Sequence, residues 1–349
     1  MVFSYYLNYP FYNIIWYILK IFRKKKKCIL YCEDAFDIIL YKNVGKYLQP
    51  VSIVAKNKKV REKLLSNGFK CDSLLPAFPD VVIMFRNMAW KFPCKKIIRI
   101  GFKHGAYNFK AHSKPHYYNM FDLFFLTSQS EINRVKSLGV STELIAAYPK
   151  IDHLFDGSLN EEVLHKLRLS LNLDPTKKTL LFASTWDGSG MSAIEKWYDK
   201  ISILKDKYNL LVTLHEWMSD KYKIPLKNNP DIYFIEEFDR MKYIALADIC
   251  INDTSSLIAE TNLLKKPLIT FRVQKTNRTL DDVMSLIEKI SIQIEDFSEL
   301  ENAIEKHLEN PNLLIKEQDL ISKIFFDEPD GLAGKRVADK IIELVPELK

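Results

Sequence analysis

Short apolar runs and amphipathic stretches alternate along most of this 349-residue chain. From residue 28 the runs CILYC (28–32), VSIVA (51–55), DVVIMF (80–85), KIIRIGF (96–102) and LFFLTS (123–128) are too short for helices, and segments with helical spacing such as KKVREKLLSNG separate them. A second series follows with TLLFAST (179–185), NLLVTLHE (209–216), DIYFIEE (231–237), DICIND (248–253) and PLITF (267–271). Runs that are apolar on both faces predict buried parallel strands, and their alternation with helices predicts α/β sheets covered on both sides. The pattern therefore predicts two Rossmann-like domains, 28–155 and 178–310. A linker region at 156–177 joins them, and helices in 311–349 pack back across both.

Residues 248 to 271 carry the sharpest local signal. Ile249, Cys250 and Ile251 form one strand, and Leu268, Ile269 and Phe271 form another after Pro267. Between them Asp253, Thr254, Ser255 and Ser256 lead into a helical pattern with Leu257, Ala259, Leu263 and Leu264 on one stripe. Unpaired amides and the positive end of the macrodipole at a helix N-terminus favour an anion, and serine hydroxyls add donors without bulk; a diphosphate suits such a turn. The plainer reading is an ordinary helix cap by Asp253 or Ser255. The residues alone admit both.

The first 27 residues change the meaning of the net charge of +7. They hold Lys20, Arg23, Lys24, Lys25, Lys26 and Lys27 and no acid, so 7 − 6 leaves +1 for the remainder, which gives little support to a broad basic face for nucleic acid. The uninterrupted apolar part, Ile14 to Leu19, falls short of the ~20 residues that span a bilayer. The positive cluster follows the apolar stretch instead of preceding it, so a cleaved secretory signal is not expected. Aromatic residues beside a basic run favour a headgroup boundary, which predicts that residues 1–27 attach peripherally to an anionic membrane surface. The competing expectation is that the aromatics pack on the protein body while the lysines are solvated. Five cysteines, Cys28, Cys32, Cys71, Cys94 and Cys250, at unrelated spacings read as reduced thiols, with no zinc or redox pattern among them.

Ligands of open α/β sheets lie beyond the carboxyl ends of the strands. That rule selects Lys103, His104, Gly105 and Lys110 after KIIRIGF, and His215 after NLLVTL. Histidine suits proton transfer near neutral pH, and Gly105 lets backbone approach a substrate. His153, His165 and His307 lack such placement and read as structural, whereas His112 and His116 flank Lys114 in a polar loop open to ligand or solvent.

The order KHGAYNFK, AAYPKIDHLF, LLFASTW, TLHEW and ADICINDTSSLIAETNLLKKPLITF resembles the CDP-glycerol glycerophosphotransferase family, whose members build teichoic-acid-type chains of glycerol or ribitol phosphate. The resemblance covers roughly residues 80–340. It implies a GT-B-like fold, two Rossmann-like domains facing a central cleft, with a short membrane-associating N-terminal segment. By position, His104 resembles the family's proposed general base, and His215 the histidine that contacts the donor diphosphate. Asp253, Thr254, Ser255 and Ser256 fall on its phosphate turn, Tyr148, Pro149, Lys150 and Asp152 on a turn joining the domains, and Arg336 on a basic residue near the end that is expected on the donor phosphates. Thr185 and Trp186 end the LLFASTW strand. This chain departs from the family pattern at Asn252 and Thr254, at Ser184, and at Glu216, where proline is usual after the histidine.

The implied reaction is attack by an acceptor hydroxyl on the β-phosphorus of a CDP-activated polyol, most simply CDP-glycerol, with release of CMP. The acceptor is a lipid-linked precursor or glycan of the cell envelope, and the place is the cytoplasmic face of the membrane. The donor is expected between the domains, so that closure completes the site. No cofactor is implied, and no DxD or clustered ligand pattern points to a metal. Two other readings stay open: a GT-B glycosyltransferase using a nucleotide sugar, and a catalytically silent, membrane-tethered binding protein.

Overall fold

The computed structural model describes the backbone of residues 2–111 and 114–349, with side chains from residue 9 onward; His112 lies outside the described residues. The chain divides into two compact units. Unit 1 comprises residues 1–104, 112–155 and 326–349, and unit 2 comprises 105–111 and 156–325.

Unit 1 holds seven strands: β1 (Cys28–Cys32), β2 (Ser52–Ala55), β3 (Ser73–Leu74), β4 (Val81–Met84), β5 (Ile98–Phe102), β6 (Leu123–Leu126) and β7 (Glu143–Ala146). Their order is β3-β2-β1-β4-β5-β6-β7, and all pairs are parallel. Unit 2 holds β8 (Lys178–Ser184), β9 (Tyr208–Leu214), β10 (Tyr233–Phe234), β11 (Ile249–Asn252), β12 (Leu268–Phe271) and β13 (Ile292–Ile294). These are also parallel, in the order β10-β9-β8-β11-β12-β13. Both orders are doubly wound: the chain runs outward from a central strand, then jumps back across it. The central strands β4, β6, β11 and β12 are buried along their whole length, as expected for parallel strands covered on both faces.

Sequence pattern located the central strands but not the edges. β3, β7 and β13 carry no strong apolar run, and DIYFIEE pairs over only Tyr233–Phe234. Short edge strands present few unpaired backbone groups, and each here pairs with the strand just before it in the chain.

The N-terminal helix Val2–Ile21 belongs to unit 1 instead of standing apart. Tyr12 and Trp16, four residues apart on one face, turn inward. Trp16 is 4% exposed and its indole donates to the Pro79 carbonyl at 2.6 Å, while the Tyr12 hydroxyl donates to Ala77 O at 2.7 Å. One turn on, Lys20 and Arg23 pair with Asp80 at 3.0 and 3.2 Å. The opposite face, with Phe11, Ile14, Ile15, Ile18 and Ile21, is exposed. Part of the segment thus packs on the body, as the competing expectation held, and part does not. No helix among the described residues is long and apolar enough to cross a membrane.

The C-terminal helices divide between the units. Helix Ile315–Phe325 lies in unit 2, where Asn262 donates to Gln318 O and Ser322 Oγ. Helix Ala333–Leu344 lies in unit 1. A Cβ on Gly334 would meet the Asn43 carbonyl oxygen at 2.5 Å, so only glycine permits this helix so close to helix Asp37–Gly45. The expected linker contains helix Glu161–Ser170 and is part of unit 2.

Candidate functional site

In unit 2 the strand order reverses between β8 and β11, so the loops leaving their carboxyl ends diverge and open a crevice. Asp253 follows β11, and its buried carboxylate accepts from Thr185 N at 3.0 Å, Ala193 N at 3.0 Å and Thr254 N at 2.5 Å, and from the Ser184 hydroxyl. Burial pushes its pKa up, while these hydrogen bonds oppose the shift. A carboxylate surrounded in this way only accepts hydrogen bonds, so Asp253 does not hold a phosphate itself. It ties the β8 loop to the β11 loop. Thr254 is likewise internal, its hydroxyl donating to Met191 O at 2.9 Å.

Ser255 and Ser256 are half-buried at the start of helix Leu257–Leu263. The Ser255 hydroxyl accepts from Leu257 N at 3.3 Å, but Ser256, at the cap position, makes no capping hydrogen bond. Of the two residues expected as an ordinary cap, Ser255 bonds a helix amide, whereas Asp253 bonds Ser184, Thr185, Ala193 and Thr254 instead.

The loop 105–111 follows β5 in the chain yet clusters with unit 2. Tyr107 and Phe109 pack on Phe325 with ring centroids 5.0 and 5.4 Å apart, and Ala111 N donates to Arg278 O at 2.8 Å. Gly105 lies against the serine turn: a Cβ there would stand 3.1 Å from Ser256 Oγ. Lys110 donates to Thr185 Oγ1 at 2.6 Å. Burial lowers its pKa to about 8, with Asp253 opposing the shift and Arg278 adding to it. Lys110, Thr185, Asp253, Ser256 and Gly105 are thus brought together.

His215 follows β9 and is half-buried, with its amide on Ser184 O at 3.2 Å. Its Nδ1 accepts from the Trp217 amide at 3.1 Å, so a neutral ring carries its proton on Nε2 and can donate from that atom. The Trp186 and Trp217 rings meet edge to face at 5.6 Å beside it. Glu216, at the family's proline position, lies 3.5 Å from Arg240. A cavity of about 790 Å³ extends along the loop that follows β8, lined by Asp187, Gly190, Ser192, Glu195, Arg272 and Gln274. The sequence marked Ser184 only as a departure from the family pattern and assigned no role to Arg278 or Trp217. Of these, only Trp217 carried a signal, since it stands in the same strand-end loop as His215.

In unit 1, His104 is exposed at the end of β5. Its neighbour Lys103 is committed elsewhere: it pairs with the fully buried Glu131, which also accepts from Thr127 N at 3.0 Å. Burial lowers the Lys103 pKa to about 8, against the pull of Glu131. Lys103, selected from sequence as a strand-end candidate, therefore balances an internal charge and is not a spare cation for a ligand. At this unit's strand-order reversal, between β1 and β4, Glu33 pairs with Lys56 and Lys91 and Asp37 with Arg86.

The 148–152 turn is built into unit 1. Tyr148 packs 5.9 Å from Phe326, Pro149 O accepts from Asn43 at 2.8 Å, and Lys150 lies 5.3 Å from the Phe36 ring centroid. Asp152 accepts from Ala333 N at 3.1 Å and Gly334 N at 2.6 Å, holding the start of the last long helix. Arg336, expected on a phosphate, forks onto Asp330 at 2.9 and 2.8 Å and donates to Glu328 O at 2.9 Å, all within unit 1. Among the described residues no cluster of three or more metal-ligating side chains is present.

The teichoic acid poly(ribitol-phosphate) polymerase of Bacillus spizizenii is 27% identical over 260 residues, a match covering 70% of this chain and 40% of that protein. The chain spans less than half the length of the curated relatives it matches. A solved structure of the wall teichoic acid polymerase TagF superposes with a TM-score of 0.70 at 16% identity, covering 99% of this chain and 97% of that one. UDP-GlcNAc 2-epimerase from Neisseria meningitidis superposes at 0.61 and 13% identity, over 90% and 99% of the two chains. At such identities these two structures establish a shared fold. Residues 99–343, most of the chain and every strand-end loop of unit 2 described above, match one family throughout, and the chain belongs to the CDP-glycerol:poly(glycerophosphate) glycerophosphotransferase family.

Proposed function

We infer that this chain is a GT-B-like transferase, built on two Rossmann-like units, that moves a polyol phosphate from a CDP-activated donor to an acceptor hydroxyl. The acceptor oxygen bonds to the β-phosphorus, the bond from that phosphorus to the bridging oxygen breaks, and CMP leaves with the electron pair. Glycerol phosphate is the first candidate for the transferred group and ribitol phosphate the second, in line with the names of the family and of the relative from Bacillus spizizenii.

The observation that carries this reading is the Lys110–Thr185 contact beside the serine turn of unit 2, at the strand-order reversal. A half-buried ammonium, a hydroxyl with no capping duty on Ser256 and an Nε2 donor on His215 form a set suited to a diphosphate. The adjacent cavity gives room for the nucleoside end. His104 is assigned the acceptor proton, since an exposed imidazole at a strand end can accept one near neutral pH. Phosphoryl transfer of this kind draws its rate from positioning and charge stabilisation. The exposed apolar face of the N-terminal helix supports peripheral attachment at the cytoplasmic face of the membrane, next to a lipid-linked or glycan acceptor.

The test is a ligand panel. CDP-glycerol and CDP-ribitol should raise the unfolding temperature in proportion to occupancy, and CMP release should follow when acceptor is added. Stabilisation by UDP-GlcNAc alone would instead favour a nucleotide-sugar enzyme, the reading kept alive by the epimerase likeness. No nucleotide release from any donor would favour a silent binding protein.

A further inference from the structure

A second cavity, of about 640 Å³, opens in unit 1 at the root of the N-terminal helix. Six of its lining side chains are cations, Lys20, Arg23, Lys24, Lys25, Lys26 and Lys27, and Glu347 is its one acid. Three of the cations are already paired: Lys20 and Arg23 with Asp80, and Lys26 with Glu347 at 2.9 Å. Lys24, Lys25 and Lys27 are exposed and have no acidic partner among the described residues. Folding thus sets three unneutralised charges of one short run around a concave space, where their mutual repulsion favours an anion. Gln49, Pro50 and Ser52 complete the wall.

What adjoins the cavity selects among anions. The helix leading into it carries the exposed stripe Phe11, Ile14, Ile15, Ile18 and Ile21, and Phe22 at its foot is 80% exposed. This stripe recurs every three to four residues and continues directly into the cationic wall. An apolar strip joined to an anion-receptive cavity has the chemistry of one amphiphile. A soluble phosphate would use only the cavity.

We propose that this cavity seats the phosphate of an anionic lipid headgroup while the exposed helix face enters the acyl boundary. The membrane contact is then a defined site that holds one headgroup, beyond a general attraction to negative surface. The proposal rests on the peripheral-membrane part of the function above. Vesicle binding needs no donor, so a chain that binds these vesicles and transfers nothing keeps the pocket and loses the transferase reading.

The experiment uses the full chain without nucleotide, floated with vesicles of phosphatidylcholine alone or of phosphatidylcholine with phosphatidylglycerol. Binding is expected only with phosphatidylglycerol. The triple variant K24Q/K25Q/K27Q, which leaves the paired cations in place, should weaken it on the order of 10²-fold. Gln49→Trp fills the rim with no change in charge and should weaken binding by roughly fivefold to tenfold, about the worth of one charge contact. Thermal unfolding matching wild type confirms that both variants fold. If Gln49→Trp binds like wild type while the triple variant fails, the attraction is diffuse and the pocket is refuted. Equal binding to both vesicle types also refutes it. Stabilisation by inorganic phosphate that the triple variant abolishes, with no vesicle preference, would make the occupant a soluble phosphate and overturn the lipid assignment.

Discussion

Replacing Lys110 by glutamine separates a functional charge from a structural one. Folding takes this ammonium from an ordinary lysine pKa of 10.5 to about 8, chiefly because burial strips its water. A displacement of that size corresponds to ~3 kcal/mol against the charged form, which partial exposure reduces to about 1–2 kcal/mol. The sign follows from proton counting. Between pH 8 and 10.5 the unfolded chain holds the lysine proton that the folded chain has released, so wild-type stability gains with rising pH across that window. Below it, the charged lysine is a liability that Lys110→Gln removes, and the glutamine amide can still donate to Thr185. The variant should therefore be more stable than wild type at pH 7 by about 1–2 kcal/mol, with the gap closing above pH 10.5. Donor binding should move the other way. Losing a charge-assisted contact of ~1.5–3 kcal/mol lowers kcat/KM for the CDP-polyol by about 10- to 10²-fold. In wild type the donor KM should climb as pH passes about 8, whereas in the variant it should stay flat. Urea unfolding at several pH values, paired with donor kinetics, reads both effects. A variant that is less stable at pH 7 and binds donor normally would show that Lys110 is only a tie between loops, and the site as drawn would be wrong.

Two further outcomes are expected. His104→Ala should lower kcat by roughly 10² to 10⁴ with an unchanged unfolding profile, and near-normal turnover would remove this residue from the chemistry. Gly334→Ala places a methyl 2.5 Å from Asn43 O and 3.0 Å from Asp152 Oδ2. It should cost about 1–3 kcal/mol, read as a lower urea midpoint at constant slope; an unmoved midpoint would mean that the helix start can shift freely.

Sequence by itself determined the two parallel sheets and the loops at their carboxyl ends. A strand buried on both faces needs an unbroken apolar run, and such a run is visible without any knowledge of its neighbours. His104, His215, Thr185 and the 253–256 turn were legible for the same reason, because each follows such a run directly. Partnership was decided elsewhere. Lys103 and Lys110 look alike in KHGAYNFK, yet one neutralises buried Glu131 and the other meets Thr185, 75 residues away. Asp253 sits in a phosphate-type turn but spends its oxygens on Thr185, Ala193 and Thr254 amides, and Arg336 spends its guanidinium on Asp330. The 105–111 loop joins unit 2 through Phe325, and the N-terminal helix joins unit 1 through Trp16. Local pattern records which face of an element avoids water. Which distant group then satisfies a buried charge or donor depends on contacts that exist only once the chain has folded.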